Sequence, residues 1–291
     1  MVAGSYRGFD VEVDDAGVAL FRFGHPERLN AMSFGTRRDL IECIMLAQVD
    51  DSVRVMVFTG DERSFCAGAY LPPDYEDAQS LGGSFDDVPA RVSGVPASAH
   101  VPVNLQNRLR VFAQELVRTV RRSDKLTIAA VDGYAIQIGF SLALACDYAV
   151  AGPTAKMGSA TLRMGYMPDE GGHWLLVEHL GVKRALDFML RSRIVDADEA
   201  LRLGLVSEVA EAGQTVERAM EIAHELARGP QVAMRLLKRS TYAAAQLSFD
   251  AAGEDIALRT ALSDFHADTD EGHKAWRQKR EAHFNAWLEP T

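Results

Sequence analysis

A short acidic segment, Met167 to Gly172 (MPDEGG), carries the residues best suited to proton transfer. Asp169 and Glu170 are adjacent where a loop is predicted to open a helix. A carboxylate in an apolar pocket could act there as a general acid or base. It could also cap the helix by accepting hydrogen bonds from the free N–H groups of the first turn. Both interpretations stay open for Asp169, while capping is favoured for Glu170, and packing is favoured for the nearby His173.

A second feature suited to this chemistry is the predicted helix start at Ile138-Gly139. It follows an apolar strand (126–131) and a turn, and it opens a helix of small residues (139–145) that leads into another strand (147–151). Upstream, the loop Asp61 to Tyr70 is also rich in small residues, which favours close approach of the backbone to a neighbour. Free N–H groups at a helix start can stabilise an oxyanion. An oxyanion beside an acid is therefore the predicted chemistry.

Composition excludes several functional classes. The 291 residues include 31 Lys and Arg against 41 Asp and Glu, and the net charge of −10 disfavours nucleic acid or an anionic membrane as the main partner. No apolar run reaches the ~20 residues of a membrane helix, and no signal peptide is evident at the N-terminus. Three cysteines without disulfide or metal-ligand spacing indicate a reducing compartment, so we expect a cytoplasmic protein without a metal.

The elements that must position these residues alternate between strand and helix up to about residue 210. A hairpin (11–13 and 18–23), a helix with Ser33 as N-cap, a strand (53–60) and a helix (105–120) precede the stretch already described; a strand is also predicted at 205–209. This alternation predicts an α/β fold with right-handed crossovers. Residues 72–103 break every pattern with Pro and Gly, as a lid or a disordered segment would.

From about residue 211 to 291 only helical patterns remain. We predict helices at 215–228, 230–247, 250–264 and 271–288, with a subdomain boundary near 210. The last of them carries Trp276 among many charges, which indicates docking against another part of the protein or another subunit.

Several short motifs occur in a fixed order along the chain. They are RLNAM (28–32), DSVRVMVFTG (51–60), SFCAGAYL (64–71), AAVDGYA (129–135), ALACD (143–147), GLV (204–206) and the closing residues Glu271, Gly272, Lys279, Arg280 and Phe284. In sequence and order these motifs resemble those of the crotonase (enoyl-CoA hydratase/isomerase) superfamily. The similarity runs from about residue 10 to 288, and the number of motifs in the expected order makes it specific.

The resemblance implies a spiral core of ββα turns over residues 1–210 and a C-terminal helical region, 211–291, that builds a homotrimer or a dimer of trimers. It implies an acyl-CoA thioester as substrate, so coenzyme A is part of the substrate and no separate cofactor is expected. The thioester oxygen would lie between the backbone N–H groups of Ala69 and Ile138. The positions implied to line the substrate or its CoA moiety are Arg28, Asn30, Ala31, Ala67, Gly68, Tyr70, Leu71, Gly139 and Lys279.

Departures from the family pattern bear on the reaction. Hydratases use two glutamates to activate water, and this chain has Ser141 and Thr161 at those positions, so ordinary hydratase activity is doubtful. Asp169 matches the acid of double-bond isomerases, where hydratases commonly have glycine. Where the family has glycines, the chain reads Gln137-Ile138-Gly139; a backbone N–H persists with any residue except proline.

We therefore expect isomerisation of an enoyl-CoA with Asp169 as acid and base. Two alternatives stay open. In the first, Asp169 is the nucleophile of a hydrolase or dehalogenase, which Tyr70 favours and Thr161, in place of that enzyme's tryptophan, disfavours. In the second, the chain is a non-catalytic homologue that binds CoA esters, as the missing glutamates would allow.

Overall fold

A computed structural model describes residues 2–70, 106 and 109–288. The predicted insertion at 72–103, the site residue Leu71 and the start of the predicted helix 105–120 lie outside the described residues. The strands, in chain order, are β1 (Gly4–Tyr6), β2 (Phe9–Val13), β3 (Val18–Phe23), β4 (Val55–Thr59), β5 (Ser64–Cys66), β6 (Leu126–Val131), β7 (Tyr134–Ile136), β8 (Tyr148–Ala151), β9 (Lys156–Gly158), β10 (Ile194–Asp196) and β11 (Glu208–Val209).

The strands form a large and a small sheet. The large sheet has the order β1-β2-β3-β4-β6-β8-β11, parallel from β3 onward, and the small sheet has the order β10-β9-β7-β5. Successive strand pairs β4/β5, β6/β7 and β8/β9 each give their first strand to the large sheet and their second to the small one. The helix that follows a pair then packs beside the sheets. This repeat confirms the predicted α/β class and the ββα spiral.

The helices are α1 (Phe34–Val49), α2 (Glu115–Arg122), α3 (Ile138–Ala145), α4 (Gly172–Leu180), α5 (Val182–Leu190), α6 (Ala197–Leu203), α7 (Thr215–Arg228), α8 (Gln231–Ala244), α9 (Phe249–Asp264) and α10 (Ala267–Gln278). The predicted cap is confirmed, since the Ser33 hydroxyl accepts from the Thr36 N–H at 3.1 Å. Within the described ranges no helix is long and apolar enough to cross a bilayer.

Hydrophobic side chains cover both faces of the large sheet. One face packs against α1, α2 and α3 through residues such as Phe21 and Phe58, and the other packs against alanines of α7. Because β4 lies inside a parallel sheet, all five of its residues are buried, as predicted. Since α7 shares this second core face, the division near residue 210 stays a prediction.

Some boundaries differ from the sequence-based ones. The short strands β5, β7, β9 and β10 were not predicted, because three residues are too few to show an alternating pattern. The predicted last helix, 271–288, is wrong beyond Gln278: Lys279 adopts a left-handed φ of 54° and ends α10. The predicted strand 205–209 is reduced to Glu208–Val209.

Candidate active site

The first proposed oxyanion donor, the N–H of Ala69, lies on a loop that main-chain hydrogen bonds join to the segment around Met32. Met32 N–H donates to the Gly68 carbonyl at 2.9 Å, and Tyr70 N–H donates to the Met32 carbonyl at 3.0 Å. Gly68 has a φ of +114°, which L side chains rarely adopt. Among the described residues no main-chain acceptor pairs with the Ala69 N–H, and Ala69 itself is exposed. Ala69 thus stays a candidate oxyanion donor.

The second proposed donor, the N–H of Ile138, belongs to the first residue of α3. The strained position is its predecessor: Gln137 has φ 51° and ψ −99°, a region that type II′ turns usually give to glycine. A Cβ on Gly68 would lie 3.4 Å from the Ile136 carbonyl oxygen. A Cβ on Gly139 would lie 2.1 Å from the Cys66 carbonyl oxygen. The two donor loops are thus in direct contact, and Gly139 serves that close approach.

The loop predicted to hold the CoA nucleotide contains Asn30 and Arg28, which make different kinds of contact. Asn30 is buried, and its amide donates to the Asp61 carboxylate at 2.9 Å and to the Ser64 carbonyl at 2.7 Å. The Asn30 side chain therefore fixes the loop, and the Asn30 N–H is also occupied, by the His25 carbonyl at 2.8 Å, so a ligand contact of Asn30 stays a prediction. Arg28 places its guanidinium 4.5 Å from the centre of the Tyr70 ring, so these two predicted residues lie together.

Three other predicted binding residues have definite places. Ala31 is buried and Ala67 is half-buried, and the Ala67 N–H donates to the Leu29 carbonyl at 3.0 Å. Lys279 is exposed at the end of α10, and a role for it at a phosphate stays a prediction.

The acid segment precedes its helix and does not form the first turn. Helix α4 begins at Gly172 with Gly171 as its cap residue, and no side chain caps it. The capping role expected of Glu170 is therefore wrong. The Glu170 carboxyl is buried and accepts a hydrogen bond from the Gln137 amide, and the Asp169 carboxyl lies beside it. Asp169 is half-buried, as a group that must meet a substrate should be.

Gln137 is the centre of a buried polar network. Its amide oxygen accepts from the Ser159 hydroxyl, which lies 3.3 Å from the Thr161 hydroxyl. Thr161 and Ser141, the residues at the two expected glutamate positions, are each only 2% exposed. The turn before Ile138 is thus tied to the acid segment on one side and to the end of β9 on the other.

Charge in this region is set by burial. Burial and the neighbouring Asp169 raise the pKa of Glu170 to about 8. The guanidinium of Arg37, in the first turn of α1, is also buried; burial lowers its pKa, and Glu170 and Asp169 oppose that shift. Burial raises the pKa of the adjacent Cys66 thiol to about 12, so the thiol is neutral. The Arg37 guanidinium and the Glu170 carboxyl are therefore both buried, next to the half-buried Asp169.

Sequence reasoning missed Arg37 and Gln137 as parts of the site. A signal for Arg37 existed: it lies three and seven residues before Leu40 and Ile44, on the face of α1 that the helical period buries. Gln137 stands where the family pattern has glycine, which marked the position, but its hydrogen-bond partners come from distant segments and left no local signal.

The chain is similar to known proteins in both sequence and structure. A model of the family described as enoyl-CoA hydratase/isomerase matches residues 14–91 and 94–286. The chain belongs to the enoyl-CoA hydratase/isomerase family. A probable enoyl-CoA hydratase of Rhodobacter capsulatus is 30% identical over 96% of this chain and 98% of its own length. The 1,2-epoxyphenylacetyl-CoA isomerase of Escherichia coli is 29% identical over 93% and 95%.

Solved structures of the enoyl-CoA hydratase/isomerase family agree with the fold. A putative enoyl-CoA hydratase from Streptomyces coelicolor has a TM-score of 0.82 at 30% identity and covers 97% of this chain and 96% of its own. An enoyl-CoA hydratase/isomerase from Cupriavidus metallidurans has a TM-score of 0.83 at 27% identity and covers 99% and 100%. The crotonase-like fold is thereby confirmed, and the chain is an enzyme of a family that acts on acyl-CoA esters.

Proposed function

We propose that this enzyme isomerises an enoyl-CoA, with Asp169 as acid and base and the N–H groups of Ala69 and Ile138 as oxyanion donors. One observation carries the proposal: Gln137, which precedes Ile138, is hydrogen-bonded to Glu170, which follows Asp169. The acid is therefore tied to the donor turn. That turn also touches the Gly68–Ala69 loop, which supports assigning the three groups to one site.

The proposed reaction moves one proton. The Asp169 carboxylate removes a proton from C2 of a 3-enoyl-CoA, and the electron pair spreads onto the thioester oxygen as a dienolate. The two N–H groups stabilise that negative charge, and the loss of one such donor typically costs about 3–4 kcal/mol of transition-state stabilisation. The carboxyl then returns the proton to C4, which leaves a conjugated 2-enoyl-CoA and regenerates Asp169 as carboxylate.

The residues at the two glutamate positions favour isomerisation over hydration. Hydration needs a group that removes a proton from water, and the hydroxyls of Ser141 and Thr161 do not titrate near neutral pH. Relatives of this chain include proteins named as hydratases and one named as an isomerase, so the names alone do not choose between them. The side chains present in this site favour the isomerase.

The substrate's CoA end and the assembly complete the proposal. Arg28, stacked on Tyr70, would contact a CoA phosphate, and Lys279 of an adjacent subunit would contact another.

A homotrimer, or a dimer of trimers, would form through the C-terminal helices. Support comes from α9, which has no buried residue in the single chain, and from Phe249 and Phe265, which are 93% and 94% exposed.

The test is the Asp169→Asn variant with a 3-enoyl-CoA, followed through the absorbance of the conjugated product. Loss of the acid–base group should lower kcat by about 10²–10⁴-fold. Asp15→Asn, on the exposed β2–β3 turn, is the matched control and should keep wild-type turnover. Full turnover by Asp169→Asn would refute the role of Asp169. A trapped aspartyl ester with an aryl-CoA would favour the nucleophilic alternative, and tight binding without turnover of any thioester would favour a non-catalytic homologue.

A further inference from the structure

Glu170 has no role in the proton transfer just described, yet it is buried next to the proposed base, Asp169. Its side chain is 4% exposed, and its carboxyl meets Asp169 on its own segment and the Gln137 amide from the β7–α3 turn. Two further titratable groups face it, Arg37 of α1 and Cys66 of β5. A buried carboxyl in such a polar network holds its partners in a fixed arrangement.

Burial and the neighbouring charge indicate which of the two carboxyls, Asp169 or Glu170, holds a proton. Two carboxyls can hydrogen-bond to each other only if one of them carries a proton, and two adjacent buried carboxylates repel. Glu170 is the more deeply buried of the two, and burial, followed by the charge of Asp169, raises its pKa. We therefore expect Glu170 to be the carboxyl that holds a proton.

We propose that Glu170 is a positioning residue that, as a neutral acid, donates a hydrogen bond to Asp169 while it accepts one from Gln137. This inference rests on the proposed function of Asp169 and adds to it. The donated hydrogen bond aims the Asp169 carboxylate, and the accepted one holds the turn that presents the Ile138 N–H. One proton on Glu170 thus fixes the position of the base, Asp169, relative to the Ile138 N–H.

Loss of that proton should disable the site. When Glu170 ionises, it can no longer donate to Asp169, and the two negative charges repel. Wild-type kcat/KM for a 3-enoyl-CoA should therefore fall as the pH rises through about 8, the raised pKa of Glu170. A glutamine at position 170 offers an N–H to Asp169 and a carbonyl to Gln137 without titrating.

The experiment compares Glu170→Gln, Glu170→Leu and wild type over a range of pH. Glu170→Gln should keep kcat within about fivefold at pH 7 and lose the alkaline decline; Glu170→Leu, which cannot donate, should lose about 10²-fold in kcat with little change in KM. Glu12→Gln, at an exposed site on β2, is the matched control and should reproduce the wild-type profile.

A second measurement does not depend on turnover. Because burial raises the pKa of Glu170 from 4.5 to about 8, the stability that its proton contributes is complete below about pH 4.5 and is lost as the pH rises through about 8. The melting temperature of wild type should therefore fall by several degrees relative to Glu170→Gln over this interval. Above about pH 6, where ordinary carboxyls are ionised, wild type should keep an infrared band of a protonated carboxyl that disappears near pH 8, and Glu170→Gln should lack this band.

The outcomes separate the two proposals. If wild type turns over the 3-enoyl-CoA but Glu170→Gln keeps the alkaline decline, or is as inactive as Glu170→Leu, the role of Glu170 is overturned and that of Asp169 stands. If wild type and Asp169→Asn do not differ, the proposed function fails. The absence of a titrating carboxyl in the infrared and melting data would overturn the inference whatever the activity.

Discussion

The side-chain amide of Gln137 donates a hydrogen bond to the buried carboxyl of Glu170, 33 residues further along the chain. The first residue lies in the turn between β7 and α3, and the second lies in the segment before α4. The link therefore joins two successive ββα repeats at the point where the proposed base meets a proposed oxyanion donor. Gln137 itself has a backbone φ of 51°, which is costly for any residue except glycine.

This strain predicts an unusual order of stability at position 137. Gln137→Ala and Gln137→Gly remove the same hydrogen bonds to Glu170 and Ser159, so both should be less stable than wild type. Only the glycine variant also relieves the strained backbone. We expect it to be more stable than the alanine variant by about 1 kcal/mol in denaturant unfolding. Equal stability of the two would show that the turn is not strained.

Gly68 should matter more for turnover than for stability. Gly68→Ala puts a side chain at φ +114° and within 3.4 Å of the Ile136 carbonyl, which should displace the Ala69 N–H and lower kcat about 10²-fold. Gly213→Ala, at φ +78° in open space, is the matched control for backbone strain. It should destabilise the protein without slowing the reaction. A Gly68→Ala enzyme with wild-type kcat would contradict the placement of the donor.

Arg37 should hold down the pKa of Glu170, because a neighbouring cation favours a carboxylate. In Arg37→Met we expect the pKa of Glu170 to rise further, so the fall in melting temperature with increasing pH should continue to a higher pH than in wild type. Arg38→Met is the matched control, because Arg38 pairs instead with Asp39 and Glu42. Identical pH profiles for Arg37→Met and wild type would exclude electrostatic coupling between Arg37 and Glu170.

The exposed aromatic residues of the C-terminal helices predict the assembly. Light scattering should give three or six chain masses for wild type. A charge at Phe265, which is 94% exposed in the single chain, should dissociate this assembly if the residue is buried in it. Phe265→Glu is therefore expected to give smaller species, and Asp15→Lys, on the exposed β2–β3 turn, should not. A monomeric wild type would refute the trimer.

The sequence alone was enough to predict the α/β class, most of the helices and the family, because each depends on local order along the chain. The apolar run of β4, the cap at Ser33 and the small-residue motif around Gly68 are all signals contained within a few residues. Asp169 was identified as the candidate acid for the same reason, since its position within MPDEGG is a local property.

Only the tertiary structure decided what surrounds that acid. Adjacent to a helix start, Glu170 carried the pattern of a capping residue, yet α4 begins two residues later and turns the Glu170 side chain into the core. Arg37, Gln137 and Glu170 come from three distant segments, and the burial of Glu170 where they meet raises the pKa of its carboxyl. Burial and the distances between charges are set when the segments pack, so no local pattern could contain them.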